Sequence, residues 1–160
     1  MLGAIFPGAE HLQNFHPLVV HFPLAMLPAA ASFYVLARLT RRETFAWTAL
    51  WLLVLGTGSA AVAVLAGLRA DEGVMVDPTV RERLLEPHES WMLGTLGLSA
   101  ALSVWAVMAR PLPTRGRGLF LLLLLVLLAI MAHGADYGGR LVYDYNAGGS
   151  ACGQPIEFTR

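Results

Sequence analysis

Residues Phe45 to Leu68 read FAWTALWLLVLGTGSAAVAVLAGL, 24 positions without one acidic or basic side chain. A helix rises about 1.5 Å per residue, so this stretch covers about 36 Å, more than the roughly 30 Å hydrocarbon core of a bilayer. Working outward, Leu18 to Ala37, Ser90 to Ala109 and Gly118 to Ala135 are also free of Asp, Glu and Arg. Hydrophobic residues make up 56% of the 160-residue chain and charged residues 14%. Soluble domains carry about 25% charge, so the chain has too little polar surface to cover itself in water. The sequence therefore predicts an all-α, integral membrane four-helix bundle, a single membrane domain over residues 1–160. Met1 to His16 lacks a basic n-region, and Pro23 and Pro28 interrupt the first apolar segment, so that segment is expected to be retained rather than cleaved.

Eleven positive residues balance eleven negative ones. That leaves no basic field for nucleic acid. The lone cysteine, Cys152, excludes an internal disulfide, a zinc knuckle and Cys-x-x-Cys-His haem attachment. Arg38, Arg41 and Arg42, and then Arg110, Arg115 and Arg117, fill two short connections. Positive loops stay in the cytoplasm, so both termini are expected on the outer side of the membrane. The expected outer segments hold five arginines and ten acidic residues, an acidic face able to steer a basic partner. In the outer loop, Asp77-Pro78 reads as a helix cap followed by proline at the first helical position, with Val80 and Leu84 on one face. Glu86-Pro87-His88-Glu89 reads as the start of the third span. No internal repeat stands out.

The histidines are His11, His16, His21, His88 and His133, all near the expected outer ends of the spans. His11 reads as an interfacial side chain. His21 and His133 form a deeper pair, about 6 Å below the span ends, and His16 and His88 a shallower one. His16 and His21 are five residues apart, about 140° around a helix, so they face one site only if the helix bends, as Pro23 permits. Polar groups within a span need partners and are usually functional. Two imidazoles from different helices at one depth make the axial arrangement of b-type haem. Gly56, Gly58, Ser59, Ala60, Ala61, Ala63, Gly94 and Gly97 would let a flat ring approach the backbone, and they serve tight helix packing equally. Met26, Met92 and Met131 are substitute ligands or space fillers. After the fourth span, Asp136 is placed to accept the second ring N–H of His133, with Tyr137 the neighbouring candidate, and Leu141 to Tyr145 are expected to fold back as a lid.

The motifs His16-Pro17-Leu18-Val19-Val20-His21-Phe22-Pro23, His88, and Gly138-Gly139-Arg140-Leu141-Val142-Tyr143 resemble the bacterial four-span membrane family catalogued as domain of unknown function two-two-three-one. The resemblance covers nearly the whole chain and departs from the pattern after Tyr143. It implies a four-span bundle, and related modules joined to c-type cytochrome or Rieske-like domains imply electron transfer. The leading expectation is a membrane subunit holding one or two haem b groups. His21 and His133 are its ligands, and His16 and His88 a second pair or replacements. Electrons would pass on the periplasmic side between the quinone pool and a periplasmic cytochrome or the other subunits of a larger redox complex. The alternatives are a non-haem metal ion held by His16, His21, His88 and His133, or a purely structural subunit. Imidazole suits zinc, copper and iron alike. No acyl-transfer triad, phosphate-binding loop or intramembrane carboxylate pair points to a stand-alone enzyme.

Overall fold

A computed structural model describes residues 15–71 and 76–147. His11 and Cys152 lie outside the described residues. The elements in chain order are α1 (His16–Val19), α2 (His21–Thr40), α3 (Glu43–Asp71), α4 (Pro78–Val80), a π-helical turn (Arg81–Leu85), α5 (Glu86–Ala109) and α6 (Arg117–Tyr145). They form four stretches long and apolar enough to cross a membrane: His16–Thr40, Glu43–Asp71, Pro78–Ala109 and Arg117–Tyr145. The described chain is all-helical, as the composition predicts. Helices adjacent in sequence pack side by side, α2 on α3, α3 on α5 and α5 on α6, and α2 closes the ring against α6.

The core explains that arrangement. Leu27, Ala30, Tyr34, Ala49, Leu53, Leu102, Ala106, Phe120, Leu124, Leu127 and Met131 form one buried cluster drawn from all four spans. Alanines on α2 and α3 let those backbones approach, and a Cβ on Gly56 would lie 2.9 Å from Leu27 Cδ2. Tyr34 is fully buried, with its ring edge-on to Phe120 at 5.0 Å and its hydroxyl donating to the Pro111 carbonyl at 3.3 Å. Between the two hairpins, Thr57 and Ser103 exchange a hydroxyl hydrogen bond of 2.9 Å. The outward faces carry Trp51, Leu55, Val62, Leu65, Leu122 and Leu125, each more than half exposed, the surface that lipid would cover.

The sequence reading of the chain after Ala135 needs correction. The fourth helix does not end at Ala135, and Leu141 to Tyr145 do not fold back as a lid, because α6 continues to Tyr145. Gly134 and Gly138 serve close contact rather than a turn. The helix stops at Asn146, at φ 49°, with the Ala147 N–H closing onto the Leu141 carbonyl at 2.9 Å. The α-helix of the third span begins at Glu86 with Pro87 in its first turn, as the sequence predicts, and a wider turn leads into it. Pro87 has no N–H to offer, and the turn before it widens so that the Glu86 N–H reaches the Arg81 carbonyl five residues back. Helical structure thereby runs unbroken from Pro78 to Ala109. The Asp77 cap is present: its Oδ1 accepts the Thr79 N–H at 2.9 Å and the Thr79 hydroxyl at 2.6 Å. Those bonds hold the Asp77 carboxyl below its ordinary range. Val80 and Leu84 do share a face, packed with Leu85 against Leu141 of α6.

Candidate functional site

His16 opens the first span and is half-buried against α3. Its Nδ1 lies 2.9 Å from the Ala63 carbonyl oxygen. A carbonyl only accepts, so Nδ1 carries the proton and the acceptor lone pair of the neutral ring sits on Nε2. One turn further along α3, a Cβ on Gly67 would meet His16 Cε1 at 3.0 Å and Nδ1 at 3.1 Å. A glycine is required there because the ring reaches the Ala63 carbonyl by lying over position 67. The carbonyl that His16 uses is also the acceptor of the regular helical bond from residue 67, so one oxygen serves two donors.

The same device recurs on the other hairpin. His88, half-buried near the start of α5, places Nδ1 2.8 Å from the Gly134 carbonyl oxygen on α6. A Cβ on Gly138 would lie 2.8 Å from His88 Cε1 and 3.1 Å from Nδ1. Each histidine thus bonds a carbonyl 47 or 46 residues ahead and lies over a glycine four residues beyond it. The two receiving helices, α3 and α6, are both 29 residues long. The two hairpins thus share one arrangement of histidine, carbonyl and glycine. This arrangement takes only three residues on two helices in each half, His16, Ala63 and Gly67 and their counterparts, too few to show as similarity along the chain.

The two half-sites meet. The rings of His16 and His88 stand edge-on, with centroids 6.3 Å apart and planes at 86°. They come from the first and third spans, which face each other diagonally in the ring of helices. The shallower pair is therefore the pair that converges. His21 and His133, expected to face each other across the bundle, are both exposed on its outer surface. For His21 the reason is the 140° rotation from His16, which the short break at Val20 does not remove. His133 is exposed and flanked by Trp91 at 4.8 Å and Tyr137 at 5.2 Å, each edge-on. Asp136 is exposed and makes no hydrogen bond to His133, so Tyr137 rather than the carboxylate is its neighbour. Consequently the four histidines do not surround one ion. Among the described residues no group of three or more His, Cys, Asp or Glu is placed to hold a metal. The glycines expected to admit a flat ring in mid-bundle, Gly58, Gly94 and Gly97, have open space where a Cβ would stand. The useful glycines, Gly67 and Gly138, are at the histidine end instead. The signal that finds the pair is a histidine beside a proline, His16-Pro17 and Pro87-His88, read together with small residues four apart on the next helix.

A comparison with curated proteins found no match, and a comparison with solved structures found none. A family model described as predicted membrane protein (DUF2231) does match, over residues 12–151, a range that takes in both histidine half-sites and all four spans. The chain belongs to that family.

Proposed function

We propose that the protein is a b-type haem-binding membrane subunit for electron transfer, in which His16 and His88 are the residues that would hold the haem. The observation that carries this reading is the facing pair itself. Two imidazoles brought together from different helices are the donor set that a b-type haem would take. Their ring centroids lie 6.3 Å apart. Both rings have Nδ1 fixed on a backbone carbonyl, which selects the Nε2-ligating tautomer and raises its basicity, as supporting bonds to metal-bound histidines do. Bound haem would supply one-electron chemistry at this end of the bundle. The protein's own contribution is orientation: Ala63 and Gly134 hold the rings by their carbonyls, and Gly67 and Gly138 make room for them. The arginine connections at the opposite end support a periplasmic location for the pair and a periplasmic carrier or larger redox complex as electron partner.

The test is a reduced-minus-oxidised visible spectrum of the purified chain, with haem supplied during expression. A sharp reduced α-band with a b-type pyridine haemochrome is expected, lost in His16→Ala and in His88→Ala but kept in His21→Ala. A folded, colourless protein, or full spectra in both ligand variants, would refute the assignment. Elemental analysis of the same sample then distinguishes a bare metal ion from a structural subunit.

A further inference from the structure

Because both hairpins hold a histidine over a glycine in the same way, positions counted from that contact can be compared between them. His133 precedes the Gly134 carbonyl that holds His88, and Val62 precedes the Ala63 carbonyl that holds His16. Tyr137 precedes Gly138, and Ala66 precedes Gly67. Trp91 follows His88 by three residues, and Val19 follows His16 by three. In the first hairpin the three positions are Val19, Val62 and Ala66, an aliphatic surface suited to lipid, with Val62 54% exposed. In the second they are Trp91, His133 and Tyr137, whose rings touch edge-on at 4.8 and 5.2 Å. The histidine–carbonyl–glycine contact of the first hairpin is thus made without an aromatic or imidazole side chain at these three positions. Placing such side chains in the second hairpin costs free energy, because His133 is exposed on a helix long and apolar enough to cross a membrane and makes no hydrogen bond among the described residues.

We propose that Trp91, His133 and Tyr137 form a seat for the headgroup of a membrane quinol, approached from the lipid side. The imidazole accepts a hydrogen bond from a quinol hydroxyl, and the two aromatic side chains flank the ring. A phospholipid headgroup is the poorer occupant. Its negative charge would lie one helical turn from Asp136, and the nearest cation along α6, Arg140, is 3.7 Å from Asp144. The choice of a quinol rests on the electron-transfer reading, since His133 is bonded in sequence to Gly134, whose carbonyl holds His88.

The experiment titrates the full detergent-solubilised chain with a short-chain ubiquinol analogue and follows tryptophan fluorescence. Saturable binding of one equivalent is expected, weakened about tenfold in His133→Val, the worth of one hydrogen bond in apolar surroundings. Valine already occupies the counterpart position, and gel filtration confirms that the variant is folded. The triple variant Val19→Trp, Val62→His, Ala66→Tyr should take up a second equivalent. Equal affinity in the wild type and His133→Val overturns the seat. So does displacement of the analogue by phosphatidylglycerol with the same dependence on His133, which makes this a lipid site. The two proposals fail separately. A colourless protein whose quinol affinity depends on His133 removes the haem and keeps the seat, and a haem protein whose affinity ignores His133 does the reverse.

Discussion

Gly138 and Gly139 are neighbours on α6, and alanine at each should have opposite effects. A Cβ on Gly139 would meet nothing nearer than Tyr143 at 3.9 Å, an ordinary contact. Gly139→Ala then gains only the helix preference of alanine, about 0.5–1 kcal/mol. On Gly138 the Cβ would fall 2.8 Å from His88 Cε1 and 3.1 Å from Nδ1. The ring must retreat by roughly half an ångström, away from a carbonyl it now meets at 2.8 Å. Crowding costs about 1–3 kcal/mol and a weakened hydrogen bond about 1 kcal/mol, against the same helix gain. The net expectation is a loss of about 1–3 kcal/mol for Gly138→Ala, with His88 displaced. Thermal unfolding in one detergent, monitored by circular dichroism, compares the two variants with the wild type. If Gly138→Ala is as stable as Gly139→Ala, the ring does not lie over position 138 and the half-site is wrong. Gly67→Ala should show the same effect more weakly, because its closest approach is 3.0 Å.

Thr57→Val should loosen the two hairpins from one another. Removing the 2.9 Å bond leaves Ser103 with only a 3.5 Å contact to the Leu53 carbonyl, and interhelical bonds of this kind are worth about 0.6 kcal/mol in membranes. No change in unfolding would show that the hydroxyl pair contributes nothing. At the capped turn, a carbon-13 titration should place the Asp77 carboxyl below its ordinary value and find it raised in Thr79→Ala. A folded value below the unfolded one means the cap is at full strength at neutral pH and is lost as pH falls through the folded value. An unchanged titration in Thr79→Ala would disconnect the shift from these hydrogen bonds.

The spans were legible because the membrane leaves a coarse mark: no charge from Phe45 to Leu68 says helix and lipid at once. The Asp77-Pro78 turn was legible because its cap is local. The histidine pair was only half legible. Depth follows from counting residues, but direction depends on which neighbour each helix presses against, and that is settled by side chains elsewhere in the core. His133 is exposed and not turned toward the partner expected of it. His16 and His88 were candidates, yet nothing along either helix shows that both turn to the bundle axis. Gly134, Gly138 and Gly139 illustrate the same limit. A run of glycines after an apolar segment resembles a turn, and only the neighbouring helix reveals that Gly138 is the floor beneath an imidazole.

The length of the receiving helices sets where the paired rings lie relative to the membrane surface. Each 29-residue helix is about 43 Å long, about 13 Å more than a typical hydrocarbon core. Measured from Glu43 or Arg117, about 20 residues use up that core, which brings its far boundary to Ala63 on one helix and Gly138 on the other. The imidazoles are therefore held at a waterline. A bilayer thicker by a few ångströms would submerge them and a thinner one would wet them, with the surrounding dielectric changing in step. Bilayer thickness thus becomes a control on the chemistry of the pair, one that acts without touching any residue of the site.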